Sequence, residues 1–159
     1  MRKLILIVLF FLPAALFAKN NPMVEFVEYD LDNGLHVILY YDVNEPNVVV
    51  GTKYHVGSKN EEENRTGFAH FFEHLLFHGT KNIPQGKFET MIMDAGGYCN
   101  AYTNYDVTYY YQLLPAHEYK LSLWAESERM LHPVITQEGI DREREIVKKK
   151  KRMRYDNKP

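Results

Sequence analysis

Cysteine is nearly absent from this chain. Among its 159 residues there is one cysteine, Cys99, so no disulfide can form within the chain and no zinc site can be built from several cysteines. Any metal site in this sequence must therefore draw its ligands from histidine, aspartate or glutamate.

The chain also lacks an apolar run long enough for a comfortable membrane-spanning helix. Its extended apolar run, residues 4–12, follows Arg2 and Lys3 and precedes small residues up to Ala18. This layout is typical of a secretory signal, so we assign residues 1–18 to a signal peptide and the protein to the periplasm or the exterior. An uncleaved N-terminal anchor is the lesser alternative. After cleavage of the signal, no stable membrane span is expected.

A strong charge of either sign is missing as well. The formal net charge is −2 at pH 7, with 45% hydrophobic and 25% charged residues, which are ordinary values for a globular domain. No motif combines aromatic and basic residues in the manner of a nucleic-acid-binding surface, so nucleic acid is not an expected partner. The length suits one domain over residues 19–159.

The chain contains strand patterns followed mainly by helix patterns. Alternating or β-branched segments predict strands at residues 24–30, 35–41, 48–56, 98–103 and 107–114. Helices are predicted near residues 67–78, 86–95, 116–131 and 140–153. This order indicates an α+β fold in which helices cover one face of a mostly antiparallel sheet.

Two local details of this fold are predicted by residue type. The Asn33-Gly34 pair predicts a tight hairpin turn with positive φ at both positions. The apolar face of the third helix is predicted to include Leu121, Trp124 and Met130.

The first predicted helix carries the motif H-x-x-E-H at His70, Glu73 and His74. On a helix, His70 and His74 lie one turn apart on the same face, so two imidazole nitrogens can bind one zinc ion. Glu73 is rotated away from His74 and can reach the attacking water as a general base. The motif therefore predicts two zinc ligands and a base within five residues.

Other interpretations of this segment are open. It can be an ordinary amphipathic helix, although charged groups in so apolar a segment are costly to bury. Its core side would be formed by Phe68, Phe71, Leu75 and Leu76. His78 continues the i+4 series but lies about 12 Å along the axis from His70, too far to share an ion with it. We expect His78 to interact with the C-terminal carbonyl groups of the helix.

Several further segments resemble the insulinase/pitrilysin-type zinc peptidases, the mitochondrial-processing-peptidase superfamily. The matching segments are residues 32–35, 56–58, 67–80, 96–97, 100–103, 106, 108–110 and 143–147. The resemblance covers essentially the whole mature chain. It implies an α+β domain of the mitochondrial-processing-peptidase type, one zinc ion held by His70 and His74, and Glu73 as general base.

The resemblance also implies a peptide substrate and a partner. The strand that carries Asn100 and Ala101 is implied to receive an extended peptide by edge pairing, although from the residues alone this strand could equally be an interior one. Family members join this domain to another of similar fold. The resemblance therefore implies a C-terminal domain or a partner subunit, and an N-terminal half that is either a fragment or a subunit.

One position departs from the family pattern. The family's third zinc ligand is a glutamate seven residues after the glutamate of the Glu143-Arg144 pair, and here that position is Lys150. A protonated lysine has no lone pair to give to zinc. Glu143 resembles the family's glutamate that supports the ligands without binding the metal. Two functions remain open: an active zinc metallopeptidase domain, or an inactive member that binds peptides or assembles with a partner.

Overall fold

The computed structural model describes residues 24–155, with side chains described for residues 24–149. The predicted signal peptide, residues 1–18, lies outside this range. Within the described residues, none of the helices combines the length and the apolar character needed to cross a membrane. The chain divides into two compact units between Asp42 and Val43.

The first unit contains a β-hairpin. Strand β1, Phe26–Asp30, pairs antiparallel with β2, His36–Tyr40. The Gly34 N–H donates to the Leu31 carbonyl oxygen across the turn, at 2.8 Å, and Gly34 has a φ of +84°. The predicted tight turn is confirmed, but positive φ at both Asn33 and Gly34 is wrong, since among the described residues only glycines have positive φ. Only glycine escapes the Cβ clash of that region.

The second unit contains a three-stranded antiparallel sheet in the order β3-β5-β4. Its strands are β3, Asn47–Tyr54; β4, Tyr98–Thr103; and β5, Thr108–Pro115. Because β5 pairs on both sides, β4 forms an edge of this sheet within the described part of the chain. The strand that carries Asn100 and Ala101 is therefore an edge strand here.

Four α-helices complete the described part of the second unit. They are α1, Phe68–Leu75; α2, Phe88–Asp94; α3, Tyr119–Leu131; and α4, Gln137–Tyr155. Alternate residues of β5 are buried, as expected for a strand with one covered face; they are Thr108, Tyr110, Gln112 and Leu114. This arrangement confirms the predicted α+β fold with an antiparallel sheet and covering helices.

The buried side of α3 is polar, contrary to the sequence prediction. Trp124 is 40% exposed and Met130 is 37% exposed, so the predicted apolar face is wrong for these two residues. Leu121 is partly buried and packs against the hydrophobic core, as predicted. The buried residues of α3 are Ser122, Ala125, Glu126, Glu128 and Arg129. Polar groups can be buried in this way when they bond to one another or to the backbone.

On α1, Leu75 is buried in the core as predicted, whereas Phe68, also predicted on the core side, is 49% exposed.

Arg129 is the centre of this polar cluster and is 1% exposed. Its Nε lies 3.2 Å from a carboxylate oxygen of Glu126. Glu126 also accepts a hydrogen bond from the Gln112 amide, and the Gln112 carbonyl oxygen accepts one from the Ser122 hydroxyl. Three aromatic rings pack against the guanidinium group at 4.7, 4.0 and 4.3 Å; they belong to Phe77, Phe88 and Tyr110. The buried cation is therefore neutralised and enclosed.

Replacing Arg129 tests the energetic weight of this cluster. Arg129→Met is expected to lower the free energy of unfolding by about 3 kcal/mol or more, because it leaves the Glu126 carboxylate buried without its cation. Urea denaturation measures the change. Lys120→Met, at an exposed position of the same helix, is the matched control. Adding Glu126→Gln to Arg129→Met is expected to recover part of the loss, and a single-variant loss below about 1 kcal/mol would contradict this account.

The stability of the hairpin depends on pH through His36. A hydrogen bond with the Asp30 carboxylate, at 2.8 Å from His36 Nδ1, raises the pKa of His36 above its usual 6.5. The pair therefore stabilises the hairpin below the ordinary histidine pKa, and this contribution is lost as the pH rises through the raised value. NMR titration of the imidazole is expected to show the raised pKa in the parent and a value nearer 6.5 in Asp30→Asn. An identical pKa in both proteins would disprove the pairing.

Candidate metal centre

Helix α1 is held at both ends by side chains from other segments. Gly67 precedes the helix with a φ of +95° and has no side chain to cap it. The Glu61 carboxylate accepts hydrogen bonds from the N–H groups of Gly67 and Ala69, at 2.7 and 2.8 Å. At the other end, Arg129 Nη1 donates to the Leu76 carbonyl oxygen at 2.9 Å. An anion at the N-terminus and a cation at the C-terminus both complement the helix dipole.

His70 and His74 lie side by side on α1. Their ring centroids are 4.9 Å apart, and the ring planes make an angle of 64°. Both rings line a cavity of about 520 Å³. The cavity wall also includes the other predicted site residues with described side chains, namely Glu73, Glu143, Asn100 and Ala101. The structure therefore brings these predicted residues around one space.

Sequence reasoning did not place five other residues at this cavity, although it considered His78 and assigned it to the helix carbonyl groups. They are Phe77, His78, Gly86, Glu89 and Arg142. Phe77 and His78 follow α1 directly, so their closeness to the motif was a usable signal. Glu89 and Arg142 come from α2 and α4, and no short-range pattern could have placed them beside the histidines. They add a carboxylate and a guanidinium group to the cavity wall.

Glu143 on α4 contacts two histidines. One carboxylate oxygen lies 3.3 Å from His74 Nδ1, and the other lies 2.9 Å from His78 Nε2. The expectation that His78 binds helix carbonyl groups is wrong, because its ring nitrogens contact Glu143 and Gln85 instead. A buried imidazole interacts more strongly with a carboxylate than with a neutral carbonyl group. That carboxylate comes from 65 residues away in the sequence.

The Glu73 side chain is contacted by the edge strand. Glu73 is 8% exposed, and Thr103 Oγ1 donates a hydrogen bond to its Oε2 at a distance of 2.5 Å. The Tyr110 hydroxyl donates to the backbone carbonyl oxygen of Glu73 at 3.2 Å. Burial raises the pKa of the Tyr110 hydroxyl far above its usual value, so Tyr110 remains a donor at neutral pH.

Strand β4 presents an edge beside α1. The Ala101 N–H donates to Oδ1 of Asn100, at 2.8 Å. Asn100 Nδ2 donates in turn to the Tyr98 hydroxyl at 2.6 Å. Alternate residues of an edge strand direct their backbone groups away from the sheet. The outward N–H of Ala101 is thus satisfied by an exposed side chain from its own strand.

The donor set for a metal ion is incomplete among the described side chains. His70 and His74 fit two positions of a zinc site. Within residues 24–149, however, no three or more histidine, cysteine, aspartate or glutamate side chains are grouped so that they could hold an ion. Lys150 belongs to α4, but its side chain lies outside the described residues. Cys99 is a protonated thiol at neutral pH, since burial raises its pKa to about 11.

Comparison with known proteins identifies relatives of this arrangement. The profile of the family described as Insulinase (Peptidase family M16) matches residues 36–159. The zinc protease PqqE of Helicobacter pylori (strain ATCC 700392 / 26695) is 35% identical over 130 residues, which cover 81% of this chain and 29% of that protein.

Two solved structures share the fold. A protease from Helicobacter pylori matches with a TM-score of 0.82 and 33% identity, over 85% of this chain and 33% of that one. The first half of the periplasmic protease PqqL from Escherichia coli matches with a TM-score of 0.75 and 31% identity, over 83% of this chain and 30% of that one. The chain spans about a third of the length of these relatives. With the profile match and these shared folds, the chain belongs to the insulinase family, peptidase family M16.

Proposed function

We propose that this chain is the zinc-site domain of a metalloendopeptidase that hydrolyses peptide bonds in extended peptides. The supporting observation is geometric: one helix places His70, His74 and Glu73 around a cavity that also borders the edge strand at Ala101. Two imidazole ligands, a carboxylate base and a strand that can pair with substrate are components of a peptide-hydrolysing metal site.

The residues of α1 divide the chemistry between them. His70 and His74 would hold one zinc ion, which would supply Lewis acidity toward the scissile carbonyl group. Glu73 accepts the proton of the attacking water and returns it to the leaving amine. The short contact with Thr103 and the burial of Glu73 restrict the carboxylate to one place beside the cavity.

Glu143 is proposed to support the ligands without binding the ion. Its contact with His74 Nδ1 favours the tautomer in which Nδ1 carries the hydrogen and Nε2 keeps the lone pair for a metal. Its second oxygen contacts His78, so two partners fix the orientation of the carboxylate.

An extended peptide is proposed to pair with β4 beside the cavity. A peptide carbonyl oxygen would replace the Asn100 side chain as the acceptor of the Ala101 N–H. Pairing of this kind uses backbone groups and therefore tolerates many peptide side chains. Asn100 and Ala101 are accordingly the proposed substrate-binding residues.

A second function is favoured by the missing third ligand. Lys150 stands where the family has a glutamate, and the side chains of residues 24–149 do not complete a metal site around the two histidines. Such a chain would keep the fold and bind peptides, or assemble with an active partner, without hydrolysing peptides itself.

The proposed setting is the periplasm or the exterior of the cell. The signal-like residues 1–18 support export, and one of the matched structures is from a periplasmic protease. Residues 19–159 are proposed to be the N-terminal zinc-site domain. Because the chain covers 29% of a curated relative, we also propose that a C-terminal domain or partner subunit of similar fold completes the substrate site.

Zinc content tests the proposed ligands. After dialysis against a weak chelator, the parent chain is expected to retain about one zinc ion, and His70→Ala is expected to lose it because a single imidazole binds weakly. His117→Ala, at an exposed histidine, is the control. Lys150→Glu is expected to raise zinc affinity by roughly tenfold or more, since it adds a carboxylate ligand.

Each other result of this measurement has a consequence. A parent chain without zinc, beside a Lys150→Glu variant that binds it, would overturn the active-enzyme proposal and support the second function. Equally tight binding by both proteins would show that Lys150 does not impair the site.

Peptide hydrolysis tests the base. Glu73→Gln keeps the size of the side chain and removes its basicity, so kcat is expected to fall by about 10²- to 10⁴-fold while zinc content stays unchanged. The rate is measured on a quenched fluorescent peptide in extended form, with the C-terminal domain or partner subunit supplied. Glu63→Gln, in an exposed loop, is the matched control. Parent-like hydrolysis by Glu73→Gln would rule out Glu73 as the base.

A further inference from the structure

Thr103, the last residue of β4, makes a set of contacts that involves the proposed base. Its Oγ1 donates a hydrogen bond to Glu73 Oε2 at a distance of 2.5 Å. The same oxygen lies 3.3 Å from Thr108 Oγ1, and Thr108 Oγ1 donates to the Val56 carbonyl oxygen at 3.0 Å. Three polar contacts therefore share two hydroxyl hydrogens.

The number of hydrogens identifies the donor to Glu73. A carbonyl oxygen only accepts, so the Thr108 hydrogen is used on Val56. Thr103 has one hydrogen, and its possible acceptors are the Glu73 carboxylate and the Thr108 oxygen. The carboxylate is the nearer and the stronger acceptor. The Thr103 hydrogen is therefore directed at Oε2.

The other oxygen of Glu73 has a different environment. Among the residues whose side chains the structure describes, none forms a hydrogen bond to Oε1 of Glu73. A carboxylate that is 8% exposed is costly to bury without a donor. The Thr103 hydroxyl supplies that donor on one oxygen and leaves the second oxygen available.

We infer that Thr103 is a positioning residue for Glu73: its hydroxyl holds Oε2, so that Oε1 is the oxygen that takes the proton from water. This inference rests on the proposed role of Glu73 as general base. Thr103 itself touches neither the attacking water nor the peptide in this assignment, and it acts through the orientation of the carboxylate.

The place of Thr103 links the base to the proposed substrate strand. Thr103 follows Ala101 by two residues on β4, so the two side chains lie on the same face of the sheet. The backbone N–H and C=O groups of both residues also point toward the same free edge of the strand. A peptide paired along β4 would therefore lie on the strand that orients the base. A threonine that only closed the β4–β5 turn would have no effect on the Glu73 carboxylate.

NMR of the full chain tests this inference without zinc or substrate. The ¹³C resonance of the Glu73 carboxylate, assigned with Glu73→Gln, is expected to shift and broaden in Thr103→Val, which removes the hydroxyl and keeps the shape. Thr103→Ser, which keeps the hydroxyl, is expected to restore the parent resonance. Thr52→Val, at a buried threonine on β3, is the matched control. An unchanged Glu73 resonance in Thr103→Val would overturn the inference.

A second measurement needs no variant. It serves where Thr103→Val does not fold. In the parent chain, the hydroxyl hydrogen of Thr103 is expected to exchange slowly with water and to show a nuclear Overhauser contact with the Glu73 side chain. A rapidly exchanging hydroxyl without that contact would overturn the inference.

Kinetics separate positioning from simple stabilisation. On a hydrolysed peptide, Thr103→Val is expected to lower kcat by roughly tenfold or more with KM unchanged, and Thr103→Ser to recover kcat. An unchanged kcat would overturn the inference. If no peptide is hydrolysed even when the C-terminal domain or partner subunit is supplied, the proposed function fails, and the Glu73 resonance still decides whether Thr103 holds the carboxylate.

Discussion

The buried guanidinium group of Arg129 is the interaction on which the arrangement of the second unit depends. A cation removed from water needs partners on every side, and here they come from several elements: Glu126 on α3, three aromatic rings, and the Leu76 carbonyl oxygen. Because Leu76 directly follows α1, the hydrogen bond from Arg129 to the Leu76 carbonyl oxygen also fixes the end of the H-x-x-E-H helix. The stability of the core and the geometry of the site are therefore coupled through one side chain.

The same principle extends into the cavity. Glu73 and His78 are buried groups that α1 and its following residues cannot satisfy alone. β4 supplies the Thr103 hydroxyl to Glu73, and α4 supplies the Glu143 carboxylate to His78 and His74. Glu73 and His78 are thus each matched by a partner from a distant part of the chain, as low-dielectric surroundings require. The site is assembled by the packing of three elements.

Helix α4 carries the two opposing features of this site. Glu143 contacts a histidine of the motif, and Lys150, about two turns further along the same helix, replaces the carboxylate expected from the family. A carboxylate at this position of the sequence could offer a lone pair to a metal ion, whereas a protonated lysine has none. The proposed zinc chemistry therefore depends on a position outside the H-x-x-E-H motif.

Local patterns in the sequence determined the element order, the α+β class, the helix that carries His70, Glu73 and His74, and the turn at Gly34. These follow from periodicity and residue type, which act over a few residues. Only the tertiary structure decided that α3 buries Arg129 and Glu126 in place of Trp124 and Met130, that Glu61 caps α1, that His78 pairs with Glu143, and that Thr103 holds Glu73. Hydropathy gives no sign of these, because a polar side chain is buried only where a distant segment supplies its partner.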